Sequence, residues 1–139
     1  MRKETVCAAL GALAAGLLGQ WGTMYWIMAC CQLIDLITGA MVAFIFHKSP
    51  KTETGGAESQ TMFKGLCRKF GMWCIVALAH QLDVAMGIHY LATAAVYSFV
   101  ANESLSIVEN CGLMGIVKNQ IIINAIDVLK KRAENMNGE

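Results

Sequence analysis

The sequence predicts an all-α integral membrane protein with about four transmembrane helices arranged as two hairpins, followed by an amphipathic cytoplasmic helix. Hydrophobic residues make up 56% of the 139 residues and charged residues only 15%, whereas soluble domains carry about 25% charged residues. Lys and Arg are absent from 4–47 and from 70–117. The composition predicts a membrane protein, and the spacing of the basic residues predicts its topology.

Each of the two stretches without Lys or Arg has room for two helices of about 20 residues, the length that crosses the hydrocarbon core. A hairpin in each stretch returns the chain to its starting side, so all basic groups share one face, which the positive-inside rule makes cytoplasmic. A three-span arrangement would place one basic group outside. We therefore predict both termini inside and spans near 6–20, 24–46, 70–88 and 91–112.

The first span is the shortest and is compatible with a tilted, re-entrant or surface-lying helix. A signal peptide is the competing interpretation, but another apolar helix follows rather than a polar mature domain. Gly11, Ala15 and Gly19 form a row of small residues at helical spacing, which favours close helix packing in a membrane. The row fits packing within one subunit and packing between subunits.

The transmembrane domain is predicted to cover 1–116, with a cytoplasmic loop at 47–69. The loop begins as a flexible polar linker and then brings Lys64, Arg68 and Lys69 to the inner surface, where anionic headgroups favour them. Trp21, Tyr25 and Trp26, near the first turn, suit a membrane interface.

The tail at 117–139 has an apolar helical face and a polar one with a basic end. Such a helix can lie on the inner leaflet or pack against copies of itself. The two faces are formed by Ile121, Ile122, Ala125, Ile126, Leu129 and Ala133, and by Asn124, Asp127, Lys130, Lys131 and Glu134, with Arg132 adding to the basic end.

Polar residues inside the predicted spans are the functional candidates, because ionisable groups in a bilayer are costly. They can hydrogen-bond between helices of one subunit, or line a water-filled passage between subunits, where His80 would respond to pH near neutrality. No buried Lys or Arg is expected beside them. The candidates are Asp35, Thr38, Gly39, His80, Asp83, Asn102, Glu103, Ser106, Glu109 and Asn110.

No motif indicates catalysis, a cofactor or nucleic-acid binding. The sequence lacks a Ser/His/Asp or HExxH arrangement, and its six cysteines have no metal-ligand spacing. We therefore expect a protein that is not an enzyme, with the cysteines serving as small apolar side chains.

Three ordered motifs resemble a known family. DLITG at 35–39, GLCRK at 65–69 and above all NESLSIVEN at 102–110, together with the intramembrane Asp83, are similar to the bacteriophage holin family that also contains toxin-secretion holins. The family usually has a proline soon after the Glu-Asn pair, whereas GIVK at 115–118 has none. The end of the fourth helix is therefore left open.

The resemblance implies a homo-oligomer in the host cytoplasmic membrane that opens lesions, through which an endolysin or a large toxin leaves the cytosol. On this interpretation Asp35 and Glu103 tune the balance between closed subunits and open lesions. Besides itself, its partners would be membrane lipids and, functionally, the endolysin or toxin.

Two other functions fit the same residues. A small-solute or ion channel subunit would also have four spans with buried carboxylates, and would leak ions but not proteins. An accessory protein that anchors a partner through its basic loop and tail would be harmless when expressed alone.

Overall fold

The structure is a computed structural model that describes residues 2–117 and, in the tail, Gln120, Asn124, Asp127, Val128 and Lys131. Within this part of the chain, the regular elements are four α-helices, and no strand is present. They are α1 (Lys3–Leu18), α2 (Thr23–Phe44), α3 (Ser59–Met86) and α4 (Leu91–Leu113). The all-α prediction is confirmed for this part of the chain.

Glycines end three of the helices, because each adopts a positive φ that other residues rarely accept. Gly19 (φ 71°) follows α1, Gly87 (φ 66°) follows α3, and Gly115 (φ 77°) follows α4. Gly87 is a left-handed C-cap, and the next amide donates to the carbonyl of Asp83 at 3.0 Å. The fourth helix therefore stops at a glycine turn even though no proline follows it.

α2, α3 and α4 form a three-helix core in which α2 and α4 run in the same direction and α3 runs against them. Met28 of α2, Val76 of α3 and Val96 of α4 meet in the main apolar cluster, and each is at most 1% exposed. The next contacts confirm the directions, since Asp35 of α2 meets the earlier part of α3 and the later part of α4.

The core-facing positions repeat every seven residues in all three helices. Two helical turns separate one layer of contacts from the next, about 10 Å along the bundle. A seven-residue repeat keeps the same seam facing the partner helices. The positions are Met28, Asp35 and Val42 in α2, Lys69, Val76 and Asp83 in α3, and Val96, Glu103 and Asn110 in α4.

α1 lies outside this core and has no buried residue. It packs against α3 near its C-terminal end, where the Gln81 amide donates to the carbonyls of Gly16 (2.9 Å) and Leu17 (3.1 Å). Those carbonyls belong to the last turn of α1, where no amide of the same helix is available to donate to them. With 16 residues α1 is about 24 Å long, shorter than the hydrocarbon core.

The second half of the predicted loop at 47–69 is helical in the structure. α3 begins at Ser59, so the basic run 63–71 lies on a helix that continues into the predicted third span. The polar stretch before it folds back on itself, with the Ser49 amide donating to the carbonyl of Gly55 at 2.8 Å. A side chain could not replace the Gly55 hydrogen, because its Cβ would lie 2.3 Å from the His47 carbonyl oxygen.

The outer surface of the bundle is apolar, as expected for a protein solvated by lipid. α2 and α4 are each long and apolar enough to cross a membrane. Large hydrophobic side chains point outward from the first three helices, for example Leu10, Leu13, Trp26, Leu33, Ile37, Phe44, Phe63, Phe70, Ile75, Leu78 and Val84. A soluble domain would bury most of these side chains.

The predicted amphipathic tail helix falls largely outside the described residues. That applies to its apolar face and to the basic residues Lys130 and Arg132, while Lys131 is helical and exposed.

Candidate functional site: a charged layer between three helices

One layer of the core is ionic. The Lys69 Nζ atom lies 2.7 Å from Asp35 Oδ2 and 2.5 Å from Glu103 Oε2. The three side chains come from three different helices. Their exposed fractions are 10% for Asp35, 15% for Lys69 and 3% for Glu103. One ammonium thus joins two carboxylates, and the formal charge of the layer is negative by one unit.

The expectation that no Lys or Arg would accompany the buried carboxylates is wrong. Lys69 was assigned to the inner surface with Lys64 and Arg68, but it points into the bundle, whereas those two are exposed. The physical reason is the cost of two carboxylates in a medium of low dielectric, which a cation on the neighbouring helix reduces. α3 supplies that cation because it is helical well before residue 70.

Neutral hydrogen bonds extend the ionic layer toward the end of α4. The Asn110 amide donates to Asp35 Oδ1 at 3.1 Å and to the Thr38 hydroxyl at 3.0 Å. Ser106 lies close to the Asp35 carboxylate. The Thr38 hydroxyl donates in turn to the Ile34 carbonyl of its own helix at 2.9 Å.

A second polar contact joins α2 to α3 one turn from the ionic layer. The Trp73 indole N–H donates to the Gln32 side-chain oxygen at 2.8 Å, and the Gln32 amide contacts the Met72 sulfur at 3.5 Å. Trp73 also stacks on Trp21, with ring centroids 5.4 Å apart. Among the described residues, every buried side-chain polar atom has a hydrogen-bond partner.

Asp83 and His80 do not belong to this layer. They lie 14 and 11 residues after Lys69 on the same helix, about 21 and 17 Å away along its axis. Asp83 instead accepts from the backbone amides of Leu91 (3.0 Å) and Ala92 (2.9 Å). A carboxylate at the start of a helix satisfies amides that have no partner in the helix and complements its dipole.

His80 lies against the turn between α1 and α2. A Cβ built on Gly19 would be 2.5 Å from the His80 ring, so the third member of the small-residue row is a close contact with α3. Gly11 meets nothing within 4 Å, and Ala15 is exposed. The row therefore makes its contact within the subunit at one end only.

Asn102 and Glu109 face away from the charged layer, although they belong to the same polar segment of α4. Both are exposed, whereas Glu103 and Asn110 are buried. The exposed face of α4 is otherwise built from small or hydroxyl side chains, and Tyr97 is the one large hydrophobic residue exposed on this helix. The exposed residues of α4 are Thr93, Ala94, Tyr97, Ser98, Ala101, Asn102, Ser104, Glu109 and Gly112.

The chemistry of the site is that of adjustable contacts between helices. Lys69 attracts both Asp35 and Glu103, and this attraction is stronger where water is excluded. All three side chains can be hydrated if water enters. The described residues contain no group of three or more His, Cys, Asp or Glu side chains placed to hold a metal ion. All six cysteines are free thiols.

Sequence reasoning missed Lys69 because the third span was started one residue after it. The available signal was the spacing, since Lys69, Val76 and Asp83 are seven residues apart, as are Met28 and Asp35. Gln81 was also missed. A lone glutamine on an apolar helix has no sequence pattern that would identify the carbonyls to which it donates.

Comparison with known proteins agrees with the family that the sequence resembles. Residues 12–131 match the bacteriophage holin family. A probable holin of Bacillus phage phi105 is 29% identical over 105 residues, covering 75% of this chain and 72% of its own. No solved structure matches the chain.

Uncharacterised bacterial proteins are also similar. One from Halalkalibacterium halodurans is 33% identical over 129 residues, covering 88% of this chain and 90% of its own. Another from Listeria monocytogenes is 29% identical over 117 residues, with 84% and 78% covered. The family match extends over most of the chain and includes all three helices of the charged layer. The chain therefore belongs to the bacteriophage holin family.

Proposed function

We propose that this protein oligomerises in the host cytoplasmic membrane and opens lesions through which an endolysin, or in another setting a large toxin, leaves the cytosol. The observation that carries the proposal is the charged layer of Lys69, Asp35 and Glu103, enclosed by helices whose outer surface is apolar. Family membership supports the same conclusion.

The proposed topology has four spans with both termini in the cytoplasm. α2 and α4 meet the length and composition of a spanning helix. α3 runs alongside them over the same layers, and α1 completes the first hairpin. The turns near Gly19 and Gly87 then face outward, and the loop between α2 and α3 faces the cytoplasm with the basic residues.

In the closed subunit the charged layer is internally satisfied. The positive charge of Lys69 neutralises one of the two carboxylates, and its ammonium donates a hydrogen bond to each of them. The Asn110 amide donates to the other oxygen of Asp35. Opening a lesion separates α2, α3 and α4 enough for water to replace these contacts. Asp35 and Glu103 then line the aqueous wall, so the strength of the layer sets how readily a subunit opens.

α4 is the helix best suited to line the lesion, because it is polar on two faces. Glu103, Ser106 and Asn110 face the charged layer, and Ser98 and Asn102 lie on the outer face. Small side chains allow two helices to approach closely, and an asparagine amide can both donate to and accept from a second copy of itself. The outer face of α4 therefore makes the contact between copies.

The direct test is induced expression in a bacterium, alone and with an endolysin that lacks a signal sequence. We expect an abrupt fall in culture density, with release of a large cytosolic enzyme, only when both proteins are present. Expression without the endolysin should stop growth and leave the wall intact. The matched control is the endolysin expressed with an empty vector, which should not lyse the culture.

The same experiment separates the proposal from an ion channel. Slow growth arrest with potassium loss and no release of the cytosolic enzyme would contradict a lesion of protein size. Harmless expression under both conditions would instead favour a membrane anchor for a partner protein.

A further inference from the structure

A cavity of about 340 Å³ opens between α2, α3 and the loop that connects them. Its inner end is formed by the charged layer, including Asp35 and Lys69, together with Asn110. The lining nearer the connecting loop carries Lys51, Lys64, Ser49, Thr52 and Thr61, and Arg68 lines the cavity next to Lys69 on α3. The cavity thus has a basic, hydroxyl-rich mouth and reaches inward to the ion pairs.

The positive charge at the mouth exceeds the negative charge. Glu58 is the acidic residue at that end, and it accepts from the Thr61 hydroxyl at 3.5 Å. Lys64 and Arg68 have no salt bridge within the described part of the chain, where both ion pairs involve Lys69. Lys51 lies close enough to act electrostatically on Asp35.

We propose that this cavity binds the phosphate-bearing headgroup of an anionic phospholipid. Lys and Arg recognise phosphate oxygens through charge-assisted hydrogen bonds. The side walls are apolar, with Val42, Ala43 and Met62, and these suit the glycerol backbone that follows the phosphate. The volume lies within the range of small-ligand sites, about 300–1,000 Å³.

The position of the cavity opening favours a lipid over free phosphate as the ligand. The proposed function, on which this assignment rests, places the loop at the inner membrane surface, where anionic headgroups are concentrated. Exposed Phe63 and Phe70 flank the basic residues on α3 and keep that helix among acyl chains. A headgroup entering from the leaflet meets the cavity mouth at the depth of its own phosphate.

Through this site, the lipid composition of the membrane can change the strength of the charged layer. Lys69 lines the inner end of the cavity while holding Asp35 and Glu103. A phosphate bound among Lys51, Lys64 and Arg68 places negative charge near the Lys69 ammonium. That charge offsets part of the attraction between Lys69 and the two carboxylates, and so lowers the strength of the layer that keeps the subunit closed.

The test is retention of phosphatidylglycerol by the full-length protein, measured by native mass spectrometry after extraction from bilayers of phosphatidylcholine and phosphatidylglycerol. The double variant Lys64→Gln/Arg68→Gln should retain roughly ten-fold less phosphatidylglycerol, as expected for two cations near an anionic headgroup. The matched control is Arg2→Gln/Lys3→Gln, which removes the same charge from the same predicted membrane side but lies outside the cavity. It should lose clearly less phosphatidylglycerol than the cavity double variant.

Lys51→Gln provides a second variant, because it lies in the loop and alters no helix; it should also lower retention. Equal losses in the cavity double variant and the N-terminal control would overturn the site in favour of general surface attraction. Unchanged retention in Lys51→Gln and in the cavity double variant would also overturn it. Displacement of the lipid by inorganic phosphate alone would overturn the lipid as the source of the phosphate. None of these measurements depends on lysis, so they can fail while the proposed function stands.

Discussion

The Lys69 ammonium lies 2.7 Å from the Asp35 carboxylate, and the two residues are 34 positions apart on different helices. The same ammonium contacts Glu103 on a third helix. The three charged side chains therefore form one connected group. Removing the lysine and removing a carboxylate have different consequences for that group. Removing the cation leaves two carboxylates facing each other, whereas removing a carboxylate leaves a neutral pair.

Lys69→Met should destabilise the folded subunit by about 3 kcal/mol or more, because it leaves buried charges without their partner. Lys69→Arg keeps the charge and is the matched control. The measurement is thermal unfolding of the purified protein in detergent. Equal unfolding temperatures for the Met and Arg variants would contradict a stabilising role for the ammonium.

Asp35→Asn and Glu103→Gln should each fold and change the time at which lysis begins. Each leaves Lys69 with one carboxylate, so the layer is weakened and its net charge becomes zero. The measurement is lysis onset in cells that also express an endolysin, with Glu53→Gln, an exposed loop residue outside the layer and the cavity, as the control. If both variants lyse on the wild-type schedule, the layer serves packing only.

Gly19→Ala should lower stability far more than Gly39→Ala. A Cβ at Gly19 would lie 2.5 Å from the His80 ring at a φ of 71°, whereas a Cβ at Gly39 would lie 3.7 Å from the Asn110 amide, an ordinary contact. Alanine also favours a helix interior over glycine by roughly 0.5–1 kcal/mol. Thermal unfolding of both variants checks the contrast, and a Gly19→Ala protein as stable as the wild type would contradict the packing of that turn.

Asp83→Ala should loosen the start of α4, since it removes two hydrogen bonds to backbone amides. Hydrogen bonds to a charged acceptor are stronger than those between neutral groups. Hydrogen exchange should therefore quicken at residues 88–94 and stay unchanged in α2. Glu58→Ala is a suitable control, because Glu58 makes no side-chain cap of α3. Unaltered exchange at 88–94 in Asp83→Ala would contradict the capping role.

Ser98→Cys, introduced into a variant without natural cysteines, should form disulfide-linked dimers in membranes. Ser98 lies on the small, polar outer face of α4, which we propose as the contact between copies. Leu78→Cys is the matched control, on the exposed apolar face of α3. Cross-linking that is equal at the two positions would show random collision and would contradict a contact through α4.

The sequence was sufficient to predict the helical class and the order of the helices. It also identified Asp35 and Glu103 as candidates, and both lie in the charged layer. These follow from hydropathy and from the cost of burying charge, both of which act locally along the chain. The start of α3 was misplaced because a basic residue ends a hydropathy segment, although it need not end a helix. In the sequence, a lysine that is buried between helices cannot be told from a lysine that faces water at the end of a span.

The roles of Asp83 and His80 could not be predicted for a different reason. Both residues lie inside a predicted span, which suggested a common site with Asp35. Position within a predicted span does not show which layer of the bundle a side chain occupies. Asp83 is placed by the turn that follows α3, and His80 by the close approach of Gly19. The His80 contact depends on how the two hairpins dock, and the Asp83 contacts depend on the shape of the turn between α3 and α4.

The exposure of α1 has a consequence for cooperativity. This helix contributes no buried residue, and its described side-chain hydrogen bonds to α3 come from Gln81 alone. Its detachment therefore removes little from the free energy that holds the other three helices together. We expect the chain to unfold in two steps rather than one, with α1 separating at lower denaturant than the core.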